Sequence, residues 1–325
     1  MHKILVVERI HEAGEKMLAE KAELVYPKAQ NVEGILAAIG DCDAIVVRNT
    51  PITRQVVEAA PKLTVIGRHG VGYDTVDIAA ATERGIKVVY TPAANTESVA
   101  EISIGFIICL GRKILQAHAA MQSGELLSET VTLAVMTRQK GLINADLAGK
   151  TLGVVGVGRI GSSVARKMIA AFNMRVLGYD PYVAAETLAG YGVRKAETLE
   201  EMLPQCDFVD VHCSGGAGTR HLIDSRALAL MKPGAYLINT SRGSVVDEQA
   251  LVEALREKRI AGAAIDVYDP EPPRPDNPLL HMDNVIVTPH FCPMTEESLY
   301  NMATMVARGV LDVLERRQPQ YPVVP

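Results

Sequence analysis

The sequence predicts an α/β fold in two domains, each a parallel sheet covered by helices on both faces. Three observations carry that reading. Short, continuous apolar runs alternate with helical stretches along most of the 325 residues, the pattern of strands buried on both sides. One such run, Thr151–Val155, leads straight into Gly156-Val157-Gly158-Arg159-Ile160-Gly161. This strand–turn–helix begins mid-chain, so a separate domain precedes it, and the length suffices for two cores.

The first domain is read from apolar runs at Ile4–Val7, Ala44–Val47, Leu63–Ile66 and Lys87–Val89, with helical stretches such as Glu12–Lys21 and Val32–Ile39 between them. A very apolar helix follows, with Val99, Ile102, Phe106, Ile107, Leu110 and Ile114 at helical spacing. The second sheet is read from Leu152–Val155, Arg175–Tyr179, Phe208–His212, Ala235–Asn239, Ala261–Val267 and Val285–Val287. Six strands with helices between them match a doubly wound nucleotide-binding sheet. A last helix carries the stripe Leu299, Met302, Val306, Val310 and Val313 behind an acidic start at Glu296 and Glu297. It is expected to return to the first domain. The expected division is 1–98 with 291–325 as a discontinuous substrate-binding domain and 99–290 as the nucleotide-binding domain, with the catalytic cleft between them. About ten residues follow that helix in the sequence, and no regulatory domain is expected.

Composition narrows the class. Apolar residues make up 48% and the net charge is −5, which excludes a disordered chain and gives no nucleic-acid footprint. The opening MHKILVVERI has four consecutive apolar residues, too few for a signal core or a membrane span. Five cysteines without a C-x-x-C pair and eight histidines without an H-x-x-x-H grouping argue against a disulfide framework and a metal site. A cytoplasmic setting is the expectation.

The glycine pattern has a mechanical reading. Gly156 permits the tight turn, Gly158 lets backbone approach a pyrophosphate, and Gly161 allows close helix–strand packing. The helix beginning at Arg159 and Ile160 aims free N–H groups at the phosphates. Nineteen residues past Gly161, a second strand ends in Asp180, where such folds hold the ribose hydroxyls of NAD. Asp180 would repel the extra phosphate of NADP, so NAD is the expected cofactor.

Three strand ends carry candidate chemistry. Arg242 follows the run Ala235–Thr240, and its planar fork suits a carboxylate and an adjacent carbonyl oxygen. Glu271 lies in a loop with five prolines between 270 and 278, which limits its freedom. His290 closes Val285-Ile-Val-Thr-Pro-His290, and a neighbouring carboxylate would favour the protonated imidazole that reduction of a ketone requires. Taken singly, each is an ordinary surface or loop residue; their combination on one sheet marks a site.

With these residues in view, the chain resembles the D-isomer-specific 2-hydroxyacid dehydrogenases over nearly its whole length. The matching stretches are Gly67–Asp74, Asn95–Glu101, Gly149–Gly153 with the glycine turn, Met231–Gly234, Asn239–Ser244, Ala264–Tyr268 and Thr288–His290, with 29 residues from Arg242 to Glu271 and 19 from there to His290. The resemblance implies a flavodoxin-like substrate domain, a Rossmann-type NAD-binding domain, an Arg242–Glu271–His290 catalytic set and a homodimer formed through the cofactor domains. It places His212 and Thr240 at the cofactor, Asp266 on the nicotinamide carboxamide, and the amides of Val71 and Gly72 on the substrate carboxylate.

Arg48 and Arg68 match positions at which phosphoglycerate dehydrogenases contact the substrate phosphate, which implies a small 2-hydroxy or 2-keto acid with a second anionic group. A glyoxylate or hydroxypyruvate reductase, and a dinucleotide-sensing binding protein like the corepressors that share this fold, are the alternatives. The chain departs from the family pattern in a longer 122–145 segment, in Ser214–Gly218, and in Phe291-Cys292 after His290. Cys292 is read as packing, because hydride transfer needs no thiol.

Overall fold

The computed structural model describes residues 1–324. The chain forms two compact units, Met1–Ser98 together with the chain from Pro293 onward, and Val99–Cys292.

The first unit holds strands β1 (His2–Val6), β2 (Ala22–Val25), β3 (Ala44–Val47), β4 (Val65–Arg68) and β5 (Lys87–Val89). They form one parallel sheet in the order β2-β1-β3-β4-β5, the flavodoxin-like order. Alternation along these strands sends Leu5, Ile45 and Ile66 into one apolar cluster and Ile4, Val46 and Val65 into another on the opposite face. Each such fully buried aliphatic contributes roughly 1.5–3 kcal/mol. The second cluster is covered by the helix Glu296–Leu314, through Val306, Ala307 and Val310. Gly67 makes that contact possible, since a Cβ there would meet Val310 at 2.6 Å.

The second unit holds β6 (Thr151–Val155), β7 (Arg175–Tyr179), β8 (Arg194–Lys195), β9 (Phe208–Val211), β10 (Tyr236–Asn239), β11 (Gly262–Ile265) and β12 (Val285–Val287). Their order, β12-β11-β10-β9-β6-β7-β8, is the Rossmann arrangement with one further strand. All pairings are parallel.

The fold class agrees with the sequence reading, and three details differ. The second sheet has seven strands, not six: β8 is two charged residues on an edge and has no apolar run to reveal it. β2 went unread for a similar reason, being a four-residue edge strand with Glu23 inside it. The long helix Thr96–Gly111 does not reach Ile114, because Lys113 takes a left-handed φ of 50° and starts a new helix, Ile114–Gln122. Ile114 is accordingly exposed while Phe106, Ile107 and Leu110 are buried. Within the 122–145 segment lies a short helix, Leu133–Gln139, and Lys140 bonds Glu125 at 2.6 Å. Among the described residues no helix is long and apolar enough to cross a membrane.

Candidate active site

The glycine turn is dictated by steric demands. Gly156 has a φ of 89°, and a Cβ there would stand 2.5 Å from the Cys213 nitrogen. A Cβ on Gly161 would lie 2.2 Å from the Gly156 carbonyl oxygen, so helix and turn approach more closely than any other residue permits. Gly158 is different: it caps the helix Arg159–Phe172, and no atom lies within 4 Å of its hypothetical Cβ. That open side of a helix start, at Arg159 and Ile160, is where a phosphate finds free N–H groups.

Asp180 follows β7 and is nearly buried. Its Oδ2 accepts the Val157 N–H at 2.9 Å and its Oδ1 the Tyr182 N–H at 2.9 Å, so the carboxylate ties the second strand end to the glycine turn. Gly156, Gly158, Asp180 and His212 together line a cavity of about 380 Å³. An open phosphate corner and a carboxylate on one cavity fit a dinucleotide.

His212 bonds through Nε2 to Asp210 Oδ2 at 2.9 Å, and both side chains are buried. Ser103 Oγ reaches Asp210 at 3.4 Å and Thr240 Oγ1 at 3.2 Å. A buried polar chain therefore links Thr240 to His212. Sequence reasoning missed Asp210 and Ser103; an acid inside the apolar run Phe208–Val211 was the available signal.

The catalytic candidates lie on neighbouring strand ends of the same sheet. His290 Nδ1 bonds Glu271 Oε1 at 2.5 Å, a contact that does not involve Nε2. His290 adopts a left-handed φ of 53°, a conformation costing a β-carbon residue roughly 1–3 kcal/mol unless its surroundings impose it. Asp266 supplies that constraint. Fully buried, it accepts Thr288 Oγ1 at 2.5 Å and the N–H groups of Phe291 at 3.0 Å and Cys292 at 3.2 Å. Tyr268 Oη donates to the Thr288 carbonyl at 2.9 Å. The resemblance gives Asp266 a direct cofactor contact; in this structure its oxygens turn inward to fix the loop on both sides of His290. Cys292 is buried, and burial first, then Asp266, pushes its thiol far above the usual range, as packing requires.

Arg242 follows β10 in extended conformation. Its carbonyl accepts Asn239 Nδ2 at 2.9 Å, and its own Nη1 donates to the Ser241 carbonyl at 2.8 Å. Gly215 packs on the arginine stem, where a Cβ would stand 2.8 Å from Cγ; this accounts for one glycine of the unusual Ser214–Gly218 loop.

In the first unit, Arg48 follows β3 and its Nη2 approaches Met294 Sδ at 3.1 Å. Arg68 ends β4, is buried, and donates through Nη1 to the His69 carbonyl. Its guanidinium lies over Gly70, the glycine with φ 145° that opens the Gly70–Val71–Gly72 loop. Glu8 was not anticipated. Its carboxylate accepts the N–H groups of Arg48 at 2.8 Å, Asn49 at 3.0 Å and Thr50 at 2.9 Å.

Comparison with known proteins agrees with this geometry. Residues 104–292 match the family model described as D-isomer specific 2-hydroxyacid dehydrogenase, NAD binding domain. The chain is 44% identical to a D-3-phosphoglycerate dehydrogenase of Methanocaldococcus jannaschii, over 97% of this chain and 58% of that protein. It is 37% identical to a glyoxylate reductase of Korarchaeum cryptofilum, over 95% of this chain and 92% of the other. Among solved structures it resembles an NADPH-dependent glyoxylate/hydroxypyruvate reductase of Sinorhizobium meliloti in complex with NADP and malonate, with a TM-score of 0.85, 30% identity, and coverage of 99% of this chain and 97% of that one. The chain belongs to the D-isomer-specific 2-hydroxyacid dehydrogenase family and carries its NAD-binding domain. It spans a little over half the length of the phosphoglycerate dehydrogenases it matches, 58% in the archaeal case.

Proposed function

We propose that this protein is an NAD(H)-dependent oxidoreductase acting at C2 of a small 2-hydroxy or 2-keto acid that carries a second anionic group, as 3-phosphoglycerate does. The observation that carries the reading is the 2.5 Å bond between His290 and Glu271 on the sheet that also bears the glycine turn. Gly156, Gly158, Arg159, Ile160, Gly161 and Asp180 would hold NAD, with His212 and Thr240 beside it. When bound there, the reduced cofactor would supply a hydride to the keto carbon and the oxidised cofactor would accept one from the hydroxy acid.

The residues of the chain do the rest. Arg242 grips the substrate carboxylate and polarises the keto oxygen. His290 donates the proton from Nε2 to that oxygen during reduction and takes it back during oxidation, a contribution of roughly 10²–10⁴ in rate. Glu271 holds the imidazole through its Nδ1 and so fixes the direction of Nε2. Asp266 acts through the loop, by holding His290 in its left-handed conformation. The first unit is our proposed substrate-binding domain, expected at 1–98 and 291–325 but with Phe291 and Cys292 falling in the second unit; its Val71 and Gly72 amides would bind a carboxylate, and Arg48 and Arg68 the distal anion. The second unit corresponds to the NAD-binding domain proposed at 99–290. Asp180 disfavours NADP by like-charge repulsion.

Reduction of small unphosphorylated acids is the second reading, favoured by the 37% identity to a glyoxylate reductase over 92% of its length. Exposed apolar side chains gather between Ile114 and Ile143, among them Leu115, Met121, Leu127, Leu133 and Val135; a second copy of the chain covering them would make a homodimer. All five cysteines are free thiols, in keeping with a cytoplasmic protein. The test is NADH oxidation against glyoxylate, hydroxypyruvate, pyruvate, 2-oxoglutarate and phosphohydroxypyruvate, compared by kcat/KM. Highest efficiency on the phosphorylated acid supports the first reading; a preference for glyoxylate or hydroxypyruvate supports the second. NADH binding without turnover of any 2-keto acid contradicts both and favours a dinucleotide-sensing role.

A further inference from the structure

The carboxyl ends of β1, β3 and β4 stand in register, Val6 beside Val46 and Val46 beside Gly67. Two residues further on, Glu8, Arg48 and His69 therefore share one level and one face, the face covered by the helix that starts after Thr295. The His69 N–H continues the ladder to the Val47 carbonyl at 2.8 Å, and the Thr91 N–H bonds the Gly70 carbonyl at 3.0 Å.

His69 is 2% exposed, and both of its ring nitrogens are buried without a hydrogen-bond partner. The hydroxyl of Thr91, also buried, has none either. Buried polar groups are paired almost everywhere in folded proteins, so two unpaired ones at a strand-end edge, the usual ligand side of an α/β sheet, point to a ligand that completes them.

The charge state is settled by the surroundings. Burial first, then Arg48 and Arg68, push the imidazole down to about 3, so at neutral pH His69 offers one N–H donor and adds no positive charge. The Glu8 carboxylate is held by backbone N–H groups of residues 48–50 and by the Thr50 hydroxyl at 2.9 Å. It keeps its negative charge, which acts on both Arg48 and His69, so the binding of an anion here rests on the hydrogen-bond donors rather than on net charge. The Arg48 guanidinium faces a thioether. The register, with Gly67 also beside Val89, sets a guanidinium, an imidazole N–H and a hydroxyl at one level of the sheet. They suit the three acceptor oxygens of a phosphate monoester better than the two coplanar oxygens of a carboxylate.

We propose that His69 is a specificity-determining residue which, with Arg48 and Thr91, hydrogen-bonds a phosphoryl group at the end of the substrate remote from C2. The assignment rests on the distal-anion reading given above and identifies that anion as a phosphate ester.

The experiment compares phosphohydroxypyruvate with hydroxypyruvate, which differ only by the phosphoryl group, on the full chain with NADH. The wild type is expected to have the lower KM for the phosphorylated acid. His69→Leu is expected to raise that KM about tenfold, as loss of one bond to a charged group does, leaving kcat and the hydroxypyruvate KM within about twofold. His69→Gln, which keeps an N–H, should recover most of the loss. If the wild type gains nothing from the phosphoryl group, the distal-anion reading falls and this assignment with it. If the wild type prefers the phosphorylated acid but His69→Leu shifts both substrates equally or neither, His69 alone is excluded. Independently of turnover and of mutant folding, inorganic phosphate should move the ¹⁵N resonances of the His69 ring in the wild type; unmoved resonances at saturating phosphate contradict the proposal.

Discussion

The two units treat the polar groups at their strand ends differently. In the second unit most such groups have a partner inside the protein: Asp180 with the glycine turn, Asp210 with His212, Asp266 with the His290 loop, and Glu271 with His290, while Nδ1 of His212 is buried without one. In the first unit His69 and Thr91 are buried and unpaired. A group that must transfer a proton benefits from being held before the substrate arrives. A group that recognises a ligand must keep hydrogen-bonding capacity in reserve. On the proposed function, the contrast would separate a pre-assembled chemical site from a recognition site.

The largest effect that bears on this contrast concerns the turn. Gly161→Ala places a Cβ 2.2 Å from the Gly156 carbonyl oxygen, and the displaced turn should weaken NADH binding by about a hundredfold. A fluorescence titration that finds wild-type affinity would show that the turn does not hold the dinucleotide.

Next is the clamp on His290. Thr288→Val removes the 2.5 Å bond to Asp266 and should lower kcat by on the order of tenfold while leaving the NADH dissociation constant unchanged, with Thr288→Ser restoring it. A loss of NADH affinity in place of kcat would move Asp266 and Thr288 into the cofactor site.

The third test reads the recognition site through stability. The unfolded chain protonates His69 near 6.5, whereas the folded chain resists until about 3. Unfolding therefore takes up a proton in that window, and wild-type stability should fall by about 1.4 kcal/mol for each pH unit below 6.5 on account of this residue. His69→Gln lacks that dependence, so the two stability curves should diverge between pH 6.5 and 4.5 in urea titrations. Parallel curves would mean that the imidazole is solvated.

Smallest is Glu8→Gln. Burial raises the Glu8 carboxyl, but the combined N–H bonds from residues 48–50 outweigh it and hold it below its ordinary 4.5. Its contribution is therefore intact above that value and is lost only as the pH falls below it, leaving most of the His69 window undisturbed. The amide keeps one accepting oxygen, so the cost should be about 1 kcal/mol, measured at pH 7. A neutral result would mean that the Arg48 loop is held by other contacts.

Much of this was legible before the structure. Continuous apolar runs revealed ten of the twelve strands, the edge strands β5 and β12 among them; β2 and β8 were hidden because β2 carries Glu23 within its four residues and β8 is only Arg194 and Lys195. Gly156, Gly161 and Asp180 were readable because local geometry restricts the residue types there. The pairing of Glu271 with His290 was readable because both follow strands of one sheet. Asp210 left a weak signal, an acid inside an apolar run, whereas Glu8 and His69 gave none. Their roles depend on which residues the strand register sets side by side, and a sequence of isolated runs does not contain that register. Lys113 shows the same limit within a helix: apolar spacing continues to Ile114 although the backbone turns left-handed one residue earlier.

The central claim is that residues 271 and 290 perform proton transfer in a site already able to hold NADH. His290→Asn, with its wild-type parent, tests it in one cuvette: NADH binding by fluorescence, then NADH consumption on adding the best 2-keto acid. Binding should be unchanged and turnover should fall by roughly 10²–10⁴. Turnover that survives within a few-fold would contradict the account, whatever the affinity for NADH.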